Sequence, residues 1–107
     1  MNDASPLVSI ITPAYNQASY LDETIQGVLG QDYLRLEYIV LDDSSTDNTR
    51  EVLKKYTGRI IWKTHLNRGE ARTVNKGWSM AQGEIMAVVK VKQGQLEEGR
   101  VCARKVA

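Results

Sequence analysis

Hydrophobic and polar positions along the chain fall into runs whose period switches repeatedly between strand and helix. Residues 7–12 (LVSIIT) form a short, β-branched apolar run that meets Pro13, the pattern of a strand buried on both faces as in a parallel sheet. From Ser19 the period lengthens: Leu21, Ile25, Val28 and Leu29 share one helical face. Ser19 with Asp22 three residues on predicts a capping box, and Gly30 a stop. Residues 38–41 (YIVL) read as a second buried strand ending at Asp42 and Asp43. A polar turn follows, then a helix with Val52, Leu53 and Tyr56 inward, closing near Gly58. Residues 60–62 read as a third strand. Ala71, Val74, Trp78 and Ala81 mark the inner face of a third helix ended by Gly83, and residues 85–89 a fourth strand.

Strands alternating with helices imply right-handed crossovers and a parallel sheet. The expected fold is therefore α/β: a Rossmann-like, mostly parallel, four-stranded sheet with helices on both faces. From Lys90 the pattern fades. The last eighteen residues hold five basic side chains and two glycines without an apolar period, which reads as a loop or weak helix at the domain edge.

Composition narrows the classes. A chain of 107 residues is one domain. Fourteen basic and thirteen acidic residues leave a net charge of +1, so no field favours nucleic acid or an anionic membrane as partner. No apolar run approaches the ~20 residues of a membrane span. The first seven residues lack a basic start and an apolar stretch, and a cytoplasmic location is expected. Cys102 is the lone cysteine and His65 the lone histidine, which leaves no internal disulfide and no His/Cys metal cluster.

Ligands of open α/β sheets bind outside the carboxyl ends of the strands. Two polar clusters fall there: residues 12–16 (TPAYN) after the first strand and 42–47 (DDSSTD) after the second. Adjacent strands bring both to one rim, where a ring can stack on a base and a carboxylate can accept a hydrogen bond from its N–H. Asp and Ser also cap helices, and for Thr46 and Asp47 both roles stand open. Capping explains Asp43 less well, because adjacent carboxylates repel and need a compensating partner. A phospho-acceptor domain would need another aspartate after a later strand, and none follows Asp47.

These residues carry a family resemblance. Residues 8–16 (VSIITPAYN) followed by 21–25 (LDETI) resemble the opening of glycosyltransferase family 2, with its GT-A fold. Residues 36–49 (LEYIVLDDSSTDNT) resemble that family's second strand and acidic turn. Residues 67–77 (NRGEARTVNKG), closing with 83–85 (GEI), are similar to its third motif. The resemblance spans about residues 7–89 and implies a site for a nucleotide-diphosphate sugar, UDP-, GDP- or dTDP-linked. By it, Pro13 and Tyr15 line the base pocket, Asp43 contacts the base, Asp42 braces the turn, and Arg72 lies near the nucleotide. Asn67 and Gly69 form the turn before the third helix, and Asn75 and Gly77 serve its packing. Trp62 and Trp78 are expected in the core and His65 at the surface. Residues 1–89 are then the nucleotide-sugar-binding half of a truncated GT-A domain, and 90–107 a divergent basic tail.

The tail departs from the family. Members follow the fourth strand with an Asp-x-Asp or Asp-Asp pair that holds Mg²⁺ or Mn²⁺ against the diphosphate. Here residues 88–93 read VVKVKQ, and lysine cannot bind a cation. Glu97 and Glu98 are adjacent glutamates in a polar tail, read as solvated. No metal is expected for this chain and no catalytic residue is assigned. Lys90 and Lys92 are read as exposed strand-end charges in preference to counter-charges for a diphosphate. Two functions stand: a glycosyltransferase domain, incomplete as it stands, that binds a nucleotide sugar for glycosyl transfer, or a non-catalytic nucleotide-binding module or degenerate fragment. The basic tail favours the second. An uncovered edge at the fourth strand is expected to leave the chain marginally stable and prone to self-association.

Overall fold

A computed structural model describes residues 6–32, 35–66, 69–91 and 100–104. Its elements run β1 (Val8–Ala14), α1 (Ala18–Leu29), β2 (Leu36–Asp42), α2 (Thr49–Lys54), β3 (Ile61–Thr64), α3 (Glu70–Met80), β4 (Ile85–Val88) and β5 (Arg100–Arg104). The sheet order is β3-β2-β1-β4-β5. The first four strands pair in parallel, as the alternation predicts.

Both faces of the sheet are covered because the two central strands are apolar at nearly every position. On one face Ile10, Tyr38 and Val40 pack with Leu21, Ile25 and Val28 of α1 and with Val52 and Leu53 of α2. On the other, Ile11, Ile39 and Leu41 pack with Met86 and Ala81, with Trp78 of α3 against them. Alternate residues of one strand thus feed two cores.

Three local expectations are corrected. The Ser19–Asp22 capping box does not form. The helix starts at Ala18, the side chain of its cap residue Gln17 makes no capping bond to the helix, and Asp22 is drawn instead to the Tyr56 hydroxyl. The inner face of α3 is rotated by about one residue: Thr73 and Gly77 are buried, Val74 and Trp78 half-buried, and Ala71 exposed. Gly77 faces Ile11 so closely that a Cβ there would lie 2.7 Å from Ile11 Cγ2, and a helix this near the sheet turns its smallest residue inward. Asn75, by contrast, is exposed.

The third correction concerns the tail. Arg100–Arg104 forms no loop or helix; it pairs antiparallel with β4, with a register shift between Met86 and Ala87. A sheet edge offers a row of unpaired N–H and C=O groups, and backbone pairing there needs no apolar period. β4 is therefore an interior strand, and the edge on which self-association was expected is covered.

Beneath the carboxyl ends, a buried hydroxyl pair ties three strands together. Thr12 Oγ1 lies 2.7 Å from the Val89 carbonyl and 2.8 Å from the Tyr38 hydroxyl. Thr12 has one hydroxyl hydrogen, and the carbonyl can only accept, so Tyr38 donates to Thr12. Burial pushes the Tyr38 hydroxyl well above its ordinary range, so it stays a donor even in strongly alkaline solution. Tyr38→Phe is expected to cost about 1–2 kcal/mol, read as a lower denaturation midpoint with an unchanged slope.

Candidate functional site

The β1–β2 register runs from Val8↔Leu36 to Ala14↔Asp42, so both polar clusters leave the sheet side by side. The Asp43 N–H donates to the Ala14 carbonyl at 2.8 Å. Asn16 and Ser44 take left-handed backbone, φ 50° and 61°, which asparagine tolerates better than most residues. Asn16 clamps the two loops: its Oδ1 accepts from the Thr46 N–H at 2.7 Å and the Asp47 N–H at 3.3 Å, while its own N–H donates to Ser45 Oγ at 2.8 Å.

The adjacent aspartates do different work. Asp42 is fully buried and its Oδ1 accepts from the Ser45 N–H at 3.1 Å, bracing the turn. Its Oδ2 has no hydrogen-bond partner among the described residues, with the Arg50 Nε 4.0 Å away. Asp43 turns toward the rim. Its Oδ2 accepts from the Gly69 N–H at 3.0 Å, and its Oδ1 lies 3.6 Å from His65 Nδ1. These contacts relieve the repulsion expected of paired carboxylates.

Pro13, Ala14, Tyr15, Gln17, Asp43, Gly69, Glu70 and Thr73 line an open groove of about 400 Å³. The sequence candidates Pro13, Tyr15 and Asp43 are brought together here, and Gly69 joins them with φ 85°. Tyr15 is 46% exposed, so its ring is available for stacking. Arg72 stands on the exposed side of α3, beside Thr73 but outside the groove lining. Asn67 falls outside the described residues, as do Lys92, Glu97 and Glu98. Trp62 and Trp78 are half-buried against the two cores, as expected.

Sequence reasoning missed His65, read as a surface residue. Its side chain is only 13% exposed, packed beside Asp43. Nδ1 is 2.8 Å from the Leu66 carbonyl and so carries a hydrogen, which leaves Nε2 buried without a partner among the described residues. The signal was topological. The β2–β3 register ends at Asp42↔Thr64, so the residue after β3 must lie next to the residue after β2. Gln17, Glu70 and Thr73 also line the groove without having been singled out.

Asp47 resolves as structural. Its Oδ1 accepts from the Thr49 N–H at 2.9 Å and from the Thr49 hydroxyl, and its Oδ2 from the Ala18 N–H at 3.2 Å. Burial works to raise its pKa, but the Thr49 and Ala18 hydrogen bonds outweigh it and hold the carboxyl below its ordinary value. A lowered folded-state pKa gives stability that is present above the ordinary aspartate pKa and lost as pH falls through the folded value. Asp47→Asn is expected to lower stability at neutral pH by about 1 kcal/mol or less, exposure screening the charge. The gap to wild type should close on acidification, as read by thermal melts at several pH values.

A mostly parallel sheet with helices on both faces and a groove at the carboxyl ends of β1 and β2 defines a Rossmann-like α/β fold, and its structural neighbours place it with the GT-A glycosyltransferases. The chain belongs to glycosyl transferase family 2, whose profile matches residues 9–89. It is 38% identical to the "Putative teichuronic acid biosynthesis glycosyltransferase TuaG" of Bacillus subtilis (strain 168), over 92% of this chain and 42% of that protein. It is 41% identical to the chondroitin synthase of Pasteurella multocida (strain Pm70), over 73% of this chain and 8% of that protein. Among solved structures, S. aureus TarS 1–349 in complex with UDP-GlcNAc matches with a TM-score of 0.72 and 30% identity, over 79% of this chain and 26% of that one. The Pyrobaculum calidifontis mannosyltransferase in complex with GDP-Man and Mn²⁺ matches at 0.71 and 29%, over 80% and 27%. The chain thus spans less than half the length of these relatives. Among the described residues no helix is long and apolar enough to cross a membrane.

Proposed function

We propose that this chain is the part of a family 2 glycosyltransferase that holds the nucleotide of a nucleotide-diphosphate sugar. The observation that carries the reading is the shared rim: Tyr15, Pro13 and Asp43, from two adjacent strands, face one groove of about 400 Å³. In it the Tyr15 ring stacks on the base and Asp43 accepts a hydrogen bond from a base N–H. Arg72 stands on α3 outside the groove lining, and in this reading it supplies a fixed positive charge toward the phosphates. The donor is UDP-, GDP- or dTDP-linked, and the cytoplasm is the compartment this reading assigns. Titration calorimetry with UDP, GDP and dTDP tests it. Micromolar to low-millimolar binding of one of them, competed by its nucleotide sugar, is the expected result, and no binding of any overturns it.

A specific observation favours the second reading, binding without transfer. Beyond β4 stand Val89, Lys90 and Val91, and the Lys90 ammonium lies 2.8 Å from Glu70 Oε2. Among the described residues no three His, Cys, Asp or Glu side chains come together. Where the family places its metal ligands, just beyond β4, the described residues offer an ammonium and no carboxylate of their own, which does not fit Mg²⁺ or Mn²⁺, ions that take several oxygen ligands. On this reading no step of transfer is assigned to a metal, and no residue described here is given a catalytic role.

A further inference from the structure

We propose that Lys90 supplies, without a divalent cation, the positive charge that the groove presents to the diphosphate of a bound nucleotide; the inference rests on the base-pocket reading above. The backbone on either side of Lys90 is tied to the site. On one side the Val89 carbonyl accepts from Thr12 Oγ1 at 2.7 Å, and the Val89 N–H donates to the Ile11 carbonyl at 3.0 Å. On the other the Val91 carbonyl accepts from Gln17 Nε2 at 2.9 Å, and Gln17 lines the groove. Between these ties Lys90 reaches across to Glu70, a second lining residue, at 2.8 Å. Its ammonium therefore stands next to a residue of the groove lining, without Lys90 itself being one of them.

Charge decides the rest. Two carboxylates, Asp43 and Glu70, line the groove, and a diphosphate entering beside them meets repulsion unless a cation intervenes. Lysine is a compact point charge with three donors on a flexible stem, suited to phosphate oxygens. The Lys90–Glu70 pair is about half exposed on both sides, 48% and 57%, and exposed pairs hold weakly. The ammonium can leave Glu70 for a more highly charged diphosphate at small cost. Glu70 competes for the ammonium and repels the phosphates, so it restrains affinity.

The test is calorimetry on the 107-residue chain with uridine, guanosine and thymidine and with UDP, GDP and dTDP, each in EDTA and in Mn²⁺. The readout is the ratio of diphosphate to nucleoside affinity for the base that binds. In EDTA the wild-type ratio is expected to be about tenfold, and the same within error in Mn²⁺. Lys90→Ala should remove that preference, Lys90→Arg should keep most of it, and Glu70→Gln should raise it. A preference that appears only with Mn²⁺, or that survives Lys90→Ala, overturns the proposal and leaves the base pocket standing. Failure of the wild-type chain to bind any nucleoside overturns the base pocket and this proposal with it.

Discussion

Asp43→Ala is expected to weaken binding of the preferred nucleoside diphosphate by about 1–3 kcal/mol, roughly five- to 150-fold in Kd. The range is that of a hydrogen bond to a charged group lost from a largely desolvated place, and Asp43 is 5% exposed. Two effects are mixed in the alanine variant. It removes the acceptor offered to the base, and it also frees the Gly69 N–H that Asp43 Oδ2 holds at 3.0 Å, loosening the start of α3 where Glu70 and Thr73 line the groove. Asp43→Asn separates them. The amide oxygen still accepts from Gly69, while the charge beside His65 Nδ1, 3.6 Å away, is gone. If Asn retains most of the affinity and Ala loses it, geometry is what Asp43 contributes. If both lose it, the carboxylate itself is recognised. Unchanged binding in Asp43→Ala, with an unchanged melting transition, removes Asp43 from the site.

His65 sharpens the same experiment. Its Nδ1–H donates to the Leu66 carbonyl at 2.8 Å, and the same nitrogen lies 3.6 Å from Asp43 Oδ1, beyond hydrogen-bond reach. Asp43 is thus anchored by the Gly69 N–H and packed against the imidazole. His65→Ala is expected to weaken nucleotide binding less than Asp43→Ala does, because the Gly69 anchor remains. An effect as large as that of Asp43→Ala would place the imidazole itself against the ligand.

What was legible in the sequence is what local pattern controls. The runs that became β1 and β2 are apolar on both faces because both faces are buried, so strand identity and parallel pairing could be read without the structure. Once those strands are neighbours, the shared rim of Tyr15 and Asp43 follows from register alone. The missed features all depend on distant partners. α1 begins at Ala18, whose N–H is held by Asp47 from 29 residues away, and no local capping pattern encodes that. The face of α3 is set by how closely it approaches Ile11, which puts Gly77 and Thr73 inward against the apolar count. β5 is an edge strand supported by backbone pairing with β4, so composition gave it no signature. Lys90 is exposed, as read, and only its pairing with Glu70, twenty residues away in the chain, had no local signature.

The same glycine-to-alanine change is expected to have opposite signs at two positions, and the contrast tests the packing that sets the β1–β4 register. Gly27 lies exposed within α1, with nothing within 4 Å of a Cβ built there. Gly27→Ala should stabilise the chain by about 0.5–1 kcal/mol, since alanine loses less backbone entropy in a helix. At Gly83 a Cβ would lie 2.5 Å from Ser9 Oγ, 2.7 Å from the Leu7 carbonyl and 2.8 Å from the Ser9 nitrogen. Two of those atoms are backbone and cannot rotate aside. The third is committed, because Ser9 Oγ accepts from the Gly83 N–H at 2.9 Å and donates to Glu37 at 2.7 Å. The Leu7 carbonyl in turn accepts from the Glu84 N–H at 2.9 Å, the bond that starts β4 beside β1. A methyl group at position 83 must push the two strands apart where their pairing begins. The expected cost is about 1–3 kcal/mol, which for a domain of this size lowers Tm by roughly 4–8 °C per kcal/mol. The displacement travels along β4 toward Val89 and Lys90, so nucleotide affinity should fall along with stability. Thermal melts of the two variants decide it: a Gly83→Ala protein as stable as Gly27→Ala would mean that β4 does not meet β1 in this register.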